Sequence, residues 1–356
     1  MDLTAVLVLG LAFIALLFLG VPVAFCIGLA TTATILLSMG PLPSLTTVAQ
    51  QMATGLDSFA LLAIPFFILA GQLMNRGGIA RRLVEFAKSI IGMVPGGLAH
   101  VNVVAAMLMG AVSGSAAAAA SAVGGFMGPQ MEKEGYDKNF SAAVNITSST
   151  TGLLIPPSNI LIVYSLAGGG LSIGALFLAG YVPGIVVGLS LMAVSAVWAY
   201  RKDYPVGETH SPRTGAWRFL RALPSLLLLV VVIGGIVAGI FTATEAAAVA
   251  VLYALVLAFV HQEIGVGDLP DILLQTVRTT AIVMLLIGTS IAMSWVLSYE
   301  RIPQEISAGL LGLTESTIVI LLLINLILLV VGTFMDMTPA VLIFTPIFLP
   351  VVTELG

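Results

Sequence analysis

The sequence predicts an all-α polytopic membrane protein built on two re-entrant helical hairpins, which enter from opposite sides of the bilayer as parts of an inverted repeat. Three observations predict it: a strongly apolar composition, two pairs of short apolar arms that meet at polar tips, and a one-sided distribution of basic residues. Of the 356 residues 59% are hydrophobic and 8% charged, and the mean hydropathy is +1.13. A soluble chain carries about 25% charged residues, so a string of soluble domains is excluded. The net charge of −4 is small and does not point to nucleic acid. Cys26 is the single cysteine, which rules out an internal disulfide framework and reads as a small buried side chain.

The N-terminal MDLTAVLVLG has no basic stretch ahead of it and reads as a first membrane segment, not a signal peptide. Leu3 to Met39 is apolar throughout, interrupted at Gly20-Val21-Pro22. As one helix it would reach about 55 Å at ~1.5 Å per residue, well beyond the roughly 30 Å hydrocarbon core. Pro22 should kink it, so the stretch reads as one long, bent, tilted span, with two short spans as the alternative. Gly40 to Gly55 reads as a polar, Pro-containing loop, and Ser58 to Met74 as a second span. In Arg76 to Gly92, Ile79, Leu83, Phe86, Ala87, Ile90 and Ile91 recur at helical spacing, opposite Arg81, Arg82, Glu85 and Lys88. That pattern predicts an amphipathic helix lying along the membrane surface, or else a connector helix.

The organising stretch follows. Gly97 to Val112 and Ala116 to Met131 are apolar arms of about 16 residues flanking Ser113-Gly114-Ser115. Each arm covers about 24 Å at ~1.5 Å per residue, too short to cross. The pair suits a hairpin that turns inside the membrane and returns. Broken backbone at that depth is tolerated only within protein or beside a watery cavity, so the tip is a candidate binding site. Phe140 to Leu154 carries Ser141, Asn145, Ser148, Ser149 and Gly152 on one helical face. That helix should break at Ile155-Pro156-Pro157, because neither proline offers an N–H, and resume over Ser158 to Ala167.

Ser172 to Tyr200 is a full span, and Arg201 to Arg221 reads as a polar loop with five basic residues. Leu223 to Phe241, Glu245 to Val260 and Thr280 to Ser298 are further spans, with Asp268 to Arg278 at a surface between the last two. Ser316 to Val331 and Ala340 to Val352 are again short arms, flanking the polar tip Gly332 to Pro339. Span, surface helix and hairpin thus occur twice, with 43 residues separating Gly71 from Gly114 and 43 separating Ser290 from Thr333. With the N-terminus inside and one crossing by Leu3 to Met39, 12 of the 13 basic residues fall on the inner side and only Arg301 outside. The hairpins then open to opposite sides; a double crossing by Leu3 to Met39 would reverse this orientation. After the first hairpin about 65 residues of broken helix and span follow, and no counterpart follows the second. The repeat therefore leads us to expect that the functional protein continues for roughly that length.

A cation such as sodium needs several oxygen ligands, which a helix break supplies without buried charge. The hydroxyls of Ser113 and Ser115, Asn145, and carbonyls near Gly152 and Pro156 could converge on one such site. The competing reading is that the small residues let helices pack closely and the serines bond to the preceding turn. Asp336 on the second tip is the sharpest single residue, as a cation ligand or a partner for a substrate hydroxyl. It could equally cap the helix beginning near Thr338. Glu245 and Arg301 are candidate partner or gating contacts, with a helix-terminal carboxylate and a solvated arginine as the competing readings. His100, His210 and His261 lie far apart, and HExxH does not occur. An intramembrane enzyme is poorly supported, and a channel would not need two opposed hairpins.

At FFILAGQLMNRGGIARRLVEFA, VSGSAAAAASAVG, MEKEGYDKNFSAAV, LLIPPSNILIVYS, SIGALFLAGYVPG and GTFMDMTPAVLIFTPIFLP the chain resembles the large membrane subunit of tripartite ATP-independent periplasmic (TRAP) transporters. The resemblance spans essentially the whole chain, short of the family's second broken helix. It implies a sodium-coupled importer of organic acids in the bacterial inner membrane, working by an elevator motion and not as an enzyme. It also implies a periplasmic solute-binding protein, a separate small four-helix membrane subunit, and no cofactor other than sodium ions. By similarity, Ser113, Gly114, Ser115, Gly152 and Pro156 would frame one sodium site. Thr333, Asp336 and Thr338 would form the other or line the substrate cavity, with Ser115, Ser158 and Asp336 near substrate. The corresponding division is 1–92 and 168–313 as scaffold with its arms, and 93–167 and 314–356 as the moving part.

Overall fold

The computed structural model describes residues 3–205, 212–313 and 316–355, and the described residues contain helices and no strand. In chain order the α-helices are α1 (Leu3–Phe18), α2 (Val23–Ser38), α3 (Pro41–Leu56), α4 (Ala63–Arg76), α5 (Ile79–Ile91), α6 (Gly97–Ser113), α7 (Ala116–Lys133), α8 (Lys138–Ser149) and α9 (Thr151–Leu154). They continue as α10 (Asn159–Ala167), α11 (Ile173–Arg201), α12 (Pro212–Val237), α13 (Ala243–Val260), α14 (Leu269–Tyr299), α15 (Ile302–Leu313), α16 (Thr317–Phe334) and α17 (Met337–Glu354). Six are long and apolar enough to cross a membrane, or seven if the broken segment α8–α10 counts as one. The chain divides into two compact units: residues 1–61, 163–171 and 278–356, and residues 62–162 and 172–277.

In the first unit, α1 and α2 pack side by side as an antiparallel pair. This corrects the single bent span expected over Leu3 to Met39. The cause is Gly20, whose φ of 77° only glycine adopts readily, and the Val21 N–H that bonds back to the Leu16 carbonyl at 3.1 Å. The turn closes the end of α1 and reverses the chain before Pro22 can act as a kink. The single-crossing premise behind the orientation is therefore lost. Gly40 to Gly55 is not a loop but α3. Pro41 and Pro43 stand in its first turn, where no helical N–H is required. Leu9, Ala24, Ile27, Ile320, Ile343, Ile347 and Phe348 share this unit's core, and α15 packs on α17.

In the second unit, α4 lies along α13, and α5 is covered by α6 and α12. Ile79, Leu83, Val84 and Ala87 are buried there. The apolar stripe of α5 thus faces protein, as in a connector helix, and leaves mainly Ile90 for lipid. The expected loop from Arg201 to Arg221 is shorter, because α12 already begins at Pro212. Asp268 to Arg278 is no separate surface segment but leads into and forms the first turns of α14. The small residues Gly180, Gly184 and Gly188 form one ridge of α11. A Cβ on them would lie 2.4 Å from the Leu154 carbonyl, 2.5 Å from Ile155 and 2.4 Å from the Met107 sulfur respectively. Gly180 and Gly184 seat the broken segment, and Gly188 receives the Met107 side chain of α6.

Candidate functional site

The first tip forms because three residues terminate one helix and start another. Gly114 takes the left-handed conformation (φ 60°, ψ 19°) that closes α6, and its N–H bonds to the Gly110 carbonyl at 2.7 Å. Ser115 turns extended and caps α7, its hydroxyl accepting from the Ala118 N–H at 3.3 Å. The buried Ser113 hydroxyl donates to the Ser115 carbonyl at 3.3 Å and accepts from the Ser115 N–H at 3.4 Å. Behind the tip, a Cβ on Gly71 would meet the Ser113 carbonyl at 3.2 Å, so α4 supports the turn.

The break lies against this tip. A Cβ on Gly114 would fall 3.1 Å from the Pro157 carbonyl and 3.2 Å from the Asn159 nitrogen. One turn earlier the Gly110 and Gly152 backbones are in direct contact. Pro156 and Pro157 stop the helix as expected, and the pieces on either side meet at 52°. The carbonyls of Gly152 and Leu153 would normally bond to the N–H groups of residues 156 and 157, and prolines have none. The fully buried Ser158 hydroxyl fills the second gap, donating to Leu153 at 2.6 Å. The Gly152 carbonyl has no such helical partner. Two residues past Pro157, the Asn159 Oδ1 is buried with no hydrogen-bond partner. An orphaned buried acceptor is unusual enough to require a reason. Asn159 was not singled out from sequence, although its place directly after Pro-Pro-Ser was the available signal.

Asn145 lies elsewhere. It sits on the same face as Gly152 but about 10 Å away at ~1.5 Å per residue. Its amide donates to the Ala120 carbonyl at 2.9 Å across Gly124 of α7, and its Oδ1 is a second orphan. The structure thus gathers Ser113, Gly114, Ser115, Gly152, Pro156 and Ser158, and leaves Asn145 apart.

In the first unit the second tip is tighter than expected. α16 runs through Phe334 and α17 starts at Met337, so only Met335 and Asp336 break the helix. Thr333 stays helical, its hydroxyl bonding back to the Leu329 carbonyl at 3.0 Å. Thr338 and Pro339 form the first turn of α17, where proline is tolerated. Asp336 stands at the cap position (φ −64°, ψ 156°), yet its side chain makes no capping bond and is exposed. Among the described residues it is the only charged group lining a cavity of about 650 Å³, together with Tyr164, Met335, Phe344, Thr345 and Phe348. Thr333 and Thr338 are not among the lining residues.

Glu245 is committed to structure. Its carboxylate accepts from the Thr242 N–H at 2.8 Å and hydroxyl at 2.9 Å, while its own N–H donates back to Thr242, completing a capping box for α13. Arg301 is exposed in a left-handed turn (φ 57°) between α14 and α15.

Taken together, these features define a polytopic, all-helical membrane protein whose helices are interrupted at polar tips and breaks, the architecture of solute permeases. Comparison with known proteins makes the class specific. Residues 11–356 match the family described as "Tripartite ATP-independent periplasmic transporter, DctM component", and the chain belongs to that family. It is thus a multi-pass protein of the bacterial inner membrane. Among its relatives, "Uncharacterized protein YgiK" of Salmonella typhimurium is 54% identical over 351 residues, covering 99% of this chain and 81% of the relative. The "Isethionate TRAP transporter permease protein DctMQ" of Oleidesulfovibrio alaskensis is 41% identical, covering 97% and 54% respectively. The "C4-dicarboxylate TRAP transporter large permease protein DctM" of Rhodobacter capsulatus is 38% identical, covering 99% and 83%. Further relatives are named for sialic acid and for 2,3-diketo-L-gulonate.

Proposed function

We propose that this chain is the large membrane subunit of a sodium-coupled importer of small organic anions. Every solute in the relatives' names is an acid carrying a carboxylate or sulfonate. The observation that supports coupling most directly is the seating of the first tip on the Pro-Pro break. There the Ser113 hydroxyl, the Gly152 carbonyl left without its helical N–H, and the orphaned Asn159 Oδ1 offer neutral oxygens, the ligand type a hard monovalent cation takes. Asp336 would serve the second cation or the solute, with Thr333 and Thr338 in supporting positions. Asn145 is better read as a bond between α7 and α8 than as a ligand.

Both hairpins would be re-entrant, and the parts carrying them would shift together in an elevator motion. The same succession of span, short helix and hairpin recurs as α4–α7 and α14–α17. With the first hairpin returning to its own side, the basic residues from Arg76 to Arg278 all remain on the cytoplasmic side and Arg301 outside. Only the side of the N-terminus depends on how α1 and α2 sit. A periplasmic solute-binding protein would deliver the anion, and a small four-helix subunit would brace the scaffold.

Reconstitution with the small subunit and the binding protein, under an inward sodium gradient, tests the reading against a panel of carboxylates and sulfonates. Uptake should require both the gradient and the binding protein. Uptake that proceeds without the binding protein would make the chain a stand-alone symporter. Indifference to sodium would remove the role given to the tip and break.

A further inference from the structure

A second polar cleft, of about 650 Å³, lies in the second unit and shares no residue with the tip or the break. Its charged lining comprises Arg81, Arg82, Glu85, Arg221 and Glu263. It forms where three candidate membrane spans have their ends: one closes at Arg76, one closes at Val260, and one opens at Gly215. Trp217 is half exposed there, as an indole at the membrane–water boundary would be.

The charges do not balance. Arg81 pairs with Glu85 and Arg82 with Glu263, each at 3.4 Å. Burial holds the Arg82 guanidinium below its usual pKa; Glu263 raises it again, and Arg221 opposes that gain. Arg221 stacks on the Trp217 ring at 3.8 Å and, among the described residues, has no carboxylate in salt-bridge range. Three guanidinium groups therefore face one cleft with two carboxylates, and Arg221 stands close enough to the half-buried Arg82 to oppose its charge. Planar guanidinium forks match the oxygens of a phosphate. Beside them Leu220 and Val260 line the same cleft and are 61% and 70% exposed, an apolar surface continuous with the charged one.

We propose that this cleft binds the phosphate of an anionic phospholipid headgroup, with Arg82 and Arg221 on its oxygens and Leu220 and Val260 against the acyl chains. A basic pocket between span ends is the setting in which such headgroups are held. The shared chemistry is a phosphoryl anion, and the tethered source is favoured because the exposed Leu220 and Val260 line the cleft beside the charges.

The test is native mass spectrometry of the full chain, delipidated in detergent and titrated with phosphatidylglycerol or phosphatidylcholine. Phosphatidylglycerol should be retained preferentially. Arg221→Ala should weaken its retention about fivefold, the factor corresponding to ~1 kcal/mol per basic residue at an anionic membrane surface. Arg221→Lys should recover part of the loss. Arg81→Gln, at a 71% exposed side chain, should shift it in the same direction without risk to folding. Equal retention of the two lipids, or retention indifferent to both Arg221→Ala and Arg81→Gln, would overturn the proposal. Displacement of the lipid by low-millimolar inorganic phosphate would overturn it too, by making a soluble anion the occupant.

Discussion

Gly110→Ala should disable transport through geometry alone. The added Cβ would lie 1.9 Å from the Gly152 Cα and 2.9 Å from its nitrogen, whereas ordinary contact begins at 3.4 Å. Helices α6 and α9 would therefore have to separate by about 1.5 Å, the gap between 1.9 and 3.4 Å. Overpacking of this kind costs about 1–3 kcal/mol. A misplacement of 1 Å at a functional constellation costs about 10²-fold in rate, and Gly114 seats on the break one turn beyond this contact. Sodium-driven uptake in proteoliposomes should fall by about two orders of magnitude, with a lowered melting temperature in detergent. Gly125→Ala and Gly128→Ala are the controls, since nothing lies within 4 Å of either position on α7. Alanine there is favoured by about 0.5–1 kcal/mol, so uptake should persist and melting should hold or rise. Parental uptake and melting in Gly110→Ala would refute the close-packed seat.

Asp336→Ala should abolish uptake while leaving expression and melting intact, because its side chain makes no capping bond that its loss would remove; normal uptake would end its assigned role. Asn159→Ala should raise the sodium concentration for half-maximal uptake without lowering the melting temperature, since its Oδ1 has no protein partner to lose; an unchanged sodium dependence counts against it as a ligand. Thr242→Ala should lower stability by about 0.5–2 kcal/mol as a lost cap, measured by thermal melting. Glu245→Gln keeps an oxygen acceptor and should transport within about twofold of the parent if the carboxylate only closes the capping box; loss of transport with normal melting would restore a gating role.

The helical class and the first hairpin were legible because glycine, proline and small polar residues cluster there between long apolar runs. Ser113-Gly114-Ser115 and Pro156-Pro157 announce a break by what they cannot do in a helix. The Thr242 to Glu245 spacing is that of a capping box, which fits the helix-terminal reading that competed with a gating role for Glu245. Other features required tertiary information. The reversal between α1 and α2 hides in an apolar stretch where Gly20 alone provides the turn. Pro41 and Pro43 suggest a loop, yet at the start of a helix they cost nothing. Helical phase placed Asn145 on the inner face but could not fix its height along α8, and its partner is the Ala120 carbonyl, not the tip. The glycines of α11 carry no sequence signature distinct from ordinary membrane-helix glycine until the chain segments they receive are known.

That glycine ridge has a consequence for how this protein tolerates change. A wall built from hydrogen atoms instead of side chains offers its neighbour neither knobs to interlock with nor slack to absorb a bulkier replacement. Deep mutational scanning through α11 should accordingly return a rhythm, with rejection strictest at Gly180 against the Leu154 backbone, weaker at Gly184 and Gly188 against the Ile155 and Met107 side chains, and permissiveness at the exposed Val182, Ile185 and Val186 between them.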